Sequence, residues 1–152
     1  MYRIQEIQTR TPQLIQQLTA VWEKSVQATH TFLSQAEIQR IQTYVPEALT
    51  QVAHLIMAAD LSNTPVGFMG VQNETLEMLF LAPDVTGTGL GKKLLLHGIQ
   101  NYGVKKLTVN EQNPNAIGFY EHMGFQTYQR TELDEQGAPY PLLYMQLAQK
   151  SE

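Results

Sequence analysis

The stretch that decides the fold runs from Thr75 to Lys92. It begins TLEMLFL over Thr75 to Leu81 and continues as Ala82, Pro83, Asp84, Val85, Thr86, Gly87, Thr88, Gly89, Leu90, Gly91 and Lys92, leading straight into an apolar helical segment. The first part reads as a strand. Gly87, Gly89 and Gly91 then fall between strand and helix, where they expose backbone N–H groups that a phosphate can use. Other phosphate loops do not fit. A Walker-type loop needs Gly at 86 and Ser or Thr after the Gly-Lys pair, and the chain has Thr86 and Lys93 there. A dinucleotide fingerprint starting at Gly87 or Gly89 needs Gly or Ala at 92 or 94, where Lys92 and Leu94 stand. On this stretch alone, a turn that only joins strand to helix remains the alternative.

Outward from the loop, Gly89 to Tyr102 carries Leu90, Leu94, Leu95 and Ile99 on one face and reads as a helix packed on a sheet. Lys105 to Asn110 reads as a short strand, and the strand–helix–strand crossover implies that it runs parallel to Thr75–Leu81. Upstream, Tyr2 to Gln8 alternates as a strand, and Thr11 with Pro12 opens a helix that ends near Thr29. Ser34 and Glu37 form a capping-box pattern for a second helix running towards Tyr44, with Pro46 as its interruption. Val52 to Ala58 and Pro65 to Val71 read as a hairpin about Asp60, Ser62, Asn63 and Thr64. Downstream, Pro114 to Met123 is a helix ended by Gly124, and Gln126 to Thr131 and Leu142 to Leu147 are two closing antiparallel strands.

With 152 residues and 43% hydrophobic content, one α/β domain with a single sizeable core is expected, and no internal repeat or linker interrupts it. The absence of cysteine excludes disulfides, thiolate metal sites and acyl transfer through an enzyme thioester. His30, His54, His97 and His122 are scattered, so no metal site is expected. A net charge of -4 argues against a nucleic-acid binder, so attraction for an anionic ligand must be local. The loop amides, the helix dipole and the pair Lys92 and Lys93 supply such a field. No apolar run spans a bilayer and MYRIQEIQTR lacks signal-peptide features, so a cytoplasmic protein without membrane contact is expected.

A second segment, Asn113, Pro114, Asn115, Ala116, Ile117, Gly118, Phe119, Tyr120, Glu121, His122, Met123, Gly124 and Phe125, changes what the loop means. With it, the chain resembles the GCN5-related N-acetyltransferases (GNAT), whose acyl-CoA site uses these two segments in this order. Ser25–Ser34 (SVQATHTFLS), Asn110–Asn113 (NEQN) and Gly137–Leu143 (GAPYPLL) are similar to the YjaB-type bacterial branch of that family. The resemblance covers nearly the whole chain. It implies a mixed central sheet of about six or seven strands flanked by about four helices, and acetyl transfer from acetyl-CoA to a primary amine on a protein or a small molecule. A monomer or homodimer is compatible with it.

The resemblance implies coenzyme contacts at Phe80, Leu81, Thr86, Gly87, Thr88, Gly89, Leu90, Gly91 and Lys92, and at Asn113, Ala116, Phe119 and Tyr120 in the second segment. It maps the general acid for the departing thiolate onto Tyr120 and the carbonyl-binding backbone N–H onto Phe80 or Leu81. By spacing alone, Ala116, Phe119, Tyr120 and Met123 form a core-facing helical stripe, and Asn113 is an N-cap. The base is less defined. The position of the glutamate that some members carry holds Thr108, leaving Glu111, Glu77 and His30 as substitutes. Glu77 alternates with Leu76 and Met78 and is expected on the opposite face. His30 and Phe32 are placed beside the acceptor site, with Glu111 a further acceptor contact. Thr86 replaces the usual Gln or Arg, which is expected to weaken coenzyme affinity. Together with Thr108 it motivates the alternative of a non-catalytic acyl-CoA sensor.

Overall fold

A computed structural model describes residues 2–148. The chain runs β1 (Arg3–Glu6), α1 (Pro12–Thr29), α2 (Gln35–Gln42), α3 (Val45–Gln51), β2 (His54–Ala59), β3 (Pro65–Gln72), β4 (Thr75–Leu81), a single 3-10 turn (Pro83–Val85), α4 (Leu90–Tyr102), β5 (Lys106–Asn110), α5 (Pro114–His122), β6 (Phe125–Thr131) and β7 (Leu142–Leu147). All seven strands form one sheet in the order β1-β2-β3-β4-β5-β7-β6. The expected parallel pairing joins β4 to β5, and every other neighbouring pair is antiparallel. Among the described residues, no helix is long and apolar enough to cross a membrane.

Local chemistry explains most boundaries. The Thr11 hydroxyl accepts the Leu14 N–H at 3.1 Å, and Ser34 accepts the Glu37 N–H at 3.1 Å, so both helices start where the sequence places them. The reciprocal half of the capping box does not form at Ser34, because the Glu37 carboxylate is held by Arg40 at 3.1 Å. Pro46 does not merely interrupt α2. It occupies the first turn of α3, where a missing N–H leaves nothing unpaired, so the proline begins a helix that the sequence reading omits. Arg10 fixes the far end of that helix by donating to the carbonyls of Leu49 at 3.1 Å and Thr50 at 2.9 Å.

The core lies on both faces of the sheet. One layer joins Leu76, Leu90, Leu94, Leu95, Leu107, Phe125 and Met145 beneath α4 and α5; the other joins Leu18, Trp22, Ile38, Leu49, Leu55 and Phe68 beneath α1, α2 and α3. β4 contributes to both layers, and here the sequence reading needs correction. Val71 of β3 pairs with Leu76 and Gly70 with Met78, leaving Glu77 as the extra residue of a β-bulge. Leu76 therefore packs under α4, while Met78 packs with Phe80 in the opposite layer. The two do not share a face.

Pairing between β4 and β5 ends almost as soon as it begins, with Thr75 opposite Lys106 and Leu76 opposite Leu107. Beyond the bulge the strands diverge, and the rest of β4 has no strand partner on that side.

Candidate functional site

The gap between β4 and β5 opens into a cleft of about 470 Å³ lined by the end of α1 (Ser25, Thr29, His30), β4 (Leu79, Phe80, Leu81), the glycine loop (Thr86, Gly87, Gly89, Gly91, Lys92) and α5 (Asn113, Asn115, Ala116, Phe119, Tyr120). The glycine loop is shaped by its backbone. Gly87 and Gly89 hold φ of +80° and +87°, and no heavy atom lies within 4 Å of where a Cβ would sit at either. Gly91 approaches more closely: its Cβ would stand 3.4 Å from Leu81 Cδ1 and 3.7 Å from the Phe119 ring.

The amides at the start of α4 are left for a ligand. Gly89 occupies the N-cap position without a side-chain capping bond. The nearby hydroxyls turn away, Thr86 donating to the Pro83 carbonyl at 2.8 Å and Thr88 to Val85 at 2.6 Å. An uncapped helix N-terminus with Lys92 beside it suits the phosphates of a coenzyme. Thr88 and Leu90 do not line the cleft: the Thr88 hydroxyl is committed to Val85, and Leu90 is buried in the core.

A second cavity of about 140 Å³ lies against the first. His30, Leu76, Glu77, Met78, Leu79, Phe80, Thr108, Val109, Asn110, Asn113, Ala116 and Tyr120 line it. His30, Leu79, Phe80, Asn113, Ala116 and Tyr120 border both spaces and form their common wall.

Tyr120 is both a core residue and a lining residue of the cleft. Its ring is core, packed against Phe119 and edge-on to Phe125 at centroid distances of 5.2 and 6.1 Å. Its hydroxyl makes no protein hydrogen bond, yet among the described residues no buried side-chain nitrogen or oxygen lacks a partner. The hydroxyl oxygen therefore faces the open cleft. Burial of the ring pushes the phenol pKa upward and keeps it protonated. Asn113 caps α5 by accepting the Ala116 N–H at 3.3 Å, which leaves its amide NH2 directed to other partners.

His30 sits at the C-terminal end of α1. Thr29 donates its hydroxyl proton to the Ser25 carbonyl at 2.8 Å, so at its 2.8 Å contact with His30 Nδ1 the threonine oxygen accepts. Nδ1 thus carries the imidazole proton and Nε2 keeps its lone pair. Burial lowers the His30 pKa and favours this neutral form.

Glu77, re-aimed by the bulge, borders the small cavity from its solvent side. Partial burial raises its carboxyl pKa, and the negative charge of Glu135 adds to the shift. Glu111 is placed otherwise. It lies outside both cavities and takes a two-point ion pair from Arg130 of β6, which holds its carboxyl below the usual range. Phe32 lines neither cavity and instead packs on His30 at 5.3 Å. Ser25, Thr29 and Asn115 were not singled out by sequence. The i, i+4 spacing of Ser25 and Thr29 on α1 was the available signal.

A cleft beside an uncapped helix N-terminus that meets a small cavity at a phenol and a neutral imidazole has the layout of a two-substrate group-transfer enzyme. The chain belongs to the GNAT acetyltransferases: residues 16–146 match the acetyltransferase (GNAT) domain family. It is 43% identical over 128 residues to the peptidyl-lysine N-acetyltransferase YjaB of Salmonella typhimurium, covering 84% of this chain and 88% of that protein. The solution structure of apo-form YjaB from Escherichia coli superposes with a TM-score of 0.87 at 34% identity, covering 99% of each chain. The PaiA N-acetyltransferase of Thermoplasma acidophilum, solved in complex with coenzyme A, shares the fold at a TM-score of 0.70 and 20% identity, covering 96% of this chain and 99% of that one.

Proposed function

We propose that the protein transfers the acetyl group of acetyl-CoA to the side-chain amine of a lysine in a polypeptide, by direct attack. The observation that carries this is the common wall: among the described residues, the side chains bordering both cavities with protons to exchange are those of Tyr120, His30 and Asn113. The peptidyl-lysine activity of the YjaB relative supports the acceptor class. Acetyl-CoA supplies the activated acyl group when bound. This chain grips its phosphates with the amides of Gly87 to Gly91 and with Lys92, and lays Phe119 and Ala116 along its arm.

His30 takes the proton of the incoming amine at Nε2. A free lysine ammonium has a pKa of about 10.4 against about 6.5 for imidazole, a mismatch worth about 5 kcal/mol, and the burial that lowers the His30 pKa widens it. Part of that gap closes because the small cavity desolvates the ammonium and lowers its own pKa. Glu77 beside the same cavity attracts the cation. A backbone N–H of Phe80 or Leu81, on the part of β4 that β5 leaves unpaired, polarises the thioester carbonyl. As the C–N bond forms and the C–S bond breaks, Tyr120 donates a hydrogen bond to the departing sulfur, which leaves as thiolate, and the proton taken by His30 passes to solvent.

The test measures thiol release from acetyl-CoA with three acceptors: a lysine peptide with a blocked N-terminus, a lysine-free peptide with a free N-terminus, and a polyamine. The blocked lysine peptide is expected to react fastest, with acetyl located on the lysine by mass spectrometry. Preference for either other acceptor replaces the proposed substrate, and release at the blank rate with all three leaves an acyl-CoA-binding module.

A further inference from the structure

We infer that Tyr140 is a positioning residue: through Phe32 it holds the His30 imidazole in the wall shared by the two cavities. This rests on the proposed role of His30. The two stretches involved, SVQATHTFLS and GAPYPLL, lie far apart in sequence and meet beside the small cavity. The His30 and Phe32 rings are 5.3 Å apart at 44°, and the Phe32 and Tyr140 rings are 5.9 Å apart at 53°. Tyr140 then donates its hydroxyl to Glu37 Oε2 at 3.2 Å, across 103 residues of sequence. Three aromatic rings thus run in series from the reaction wall to a fixed carboxylate.

Both ends of the series are anchored. Glu37 is held by Arg40 at 3.1 Å, and Arg40 also donates to Gln136 at 3.2 Å on the same loop as Tyr140. That loop is stiff: the Asp134 carboxylate accepts the N–H groups of Gln136 at 2.9 Å and Ala138 at 2.8 Å, and Pro139 and Pro141 flank Tyr140. Neither Phe32 nor Tyr140 borders either cavity, so whatever they contribute to the reaction passes through His30. The imidazole itself has one side-chain hydrogen bond, to Thr29, which fixes Nδ1 but leaves the far side of the ring to packing. The Phe32 ring packs on the imidazole, and the Tyr140 ring backs Phe32.

The experiment uses the full chain carrying Tyr140→Ala, Tyr140→Phe, His30→Gln and the Tyr140→Ala/His30→Gln pair. It reads kcat, the KM of each substrate and the His30 titration by NMR. An aromatic pair holds its partner by a factor of roughly 2 to 12, so Tyr140→Ala is expected to lower kcat about 5- to 10-fold. The KM for acetyl-CoA stays unchanged, and the His30 midpoint moves up towards its ordinary value as water reaches the ring. Tyr140→Phe, which keeps the ring but loses the anchor to Glu37, falls between Tyr140→Ala and the wild type in both readouts. In the His30→Gln background, Tyr140→Ala has no further effect on kcat. Wild-type kcat and titration in Tyr140→Ala overturn the inference, as does an equal loss with and without His30. If His30→Gln retains full turnover, the base assignment fails, while the titration in Tyr140→Ala still decides the positioning. If Tyr140→Ala does not fold, Phe32→Leu breaks the same series and must shift the same titration.

Discussion

Replacing Tyr120 by Phe removes one oxygen and leaves the ring that packs on Phe119 and Phe125. The hydroxyl faces the cleft and bonds no protein group, so its loss opens no core cavity and Tm should stay within about 2 °C of the wild type. The kinetic effect follows from what a buried phenol can do. An ordinary phenol near pKa 10 and a thiol near 8.5 differ by about 1.5 units, so full proton transfer to a free thiolate is uphill by about 2 kcal/mol. Burial raises the Tyr120 pKa further. In the proposed mechanism Tyr120 therefore acts mainly by donating a hydrogen bond to sulfur as negative charge develops there. A hydrogen bond to a charged group contributes about 1.5–3 kcal/mol, which predicts a fall in kcat of about 10- to 150-fold. Thiol release at saturating substrates measures it, with calorimetric acetyl-CoA binding as the control, expected to change less than about twofold. Turnover within twofold of the wild type would refute the role of Tyr120. Tyr120→Ala is the wrong probe, because emptying the ring site costs about 3–5 kcal/mol of stability and confounds the kinetics.

Because the His30 pKa is lowered, kcat/KM should stay flat below the ordinary histidine value of about 6.5 and fall only at lower pH, and His30→Gln should abolish that acid limb. The same shift gives a stability effect: the folded state resists protonation, so stability present above about pH 6.5 declines as pH falls through the folded pKa, and less so in His30→Gln by thermal denaturation. Glu111→Gln should leave kcat and both KM values within twofold in the thiol-release assay, because its carboxylate is engaged by Arg130 outside both cavities. Gly89→Ala forces a side chain into φ +87° at about 1–2 kcal/mol, which for this chain length means a Tm lower by about 2–8 °C. It should also weaken acetyl-CoA binding. Gly118→Ala, in the exposed face of α5 with no atom near its Cβ, should instead raise Tm by about 1–4 °C.

Much of the molecule was legible from local signals. Caps at Thr11 and Ser34, the glycine loop and the crossover after β4 are set by near-neighbour chemistry, and they appear as read. What was not legible depends on partners distant in sequence. Nothing in TLEMLFL marks Glu77 as a bulge, since the irregularity exists only in its register against Gly70 and Val71. Pro46 reads as a stop, whereas it opens α3, whose far end is held by Arg10 from a distant part of the chain. The engagement of Glu111 depends on Arg130, on a strand formed later in the chain. Phe32, expected beside the acceptor, lines neither cavity and packs between His30 and the distant Tyr140.

The early parting of β4 from β5 gives this sheet something that β-proteins normally avoid, an edge in its interior. Residues 77–81 of β4 have β3 on one side and no strand on the other, so the sheet has four edges rather than two. Exposed edges invite foreign strands. This one is short, and Ser25 and Thr29 of α1 stand on one side of it with Phe119 and Tyr120 of α5 on the other. A polypeptide strand needs room for side chains on both faces at about 3.3 Å intervals, which that flanking denies. A slender arm bearing amides without side chains meets no such obstacle. Under the proposed function, one measure, the thickness of what can lie beside β4, both keeps foreign strands out and admits the donor.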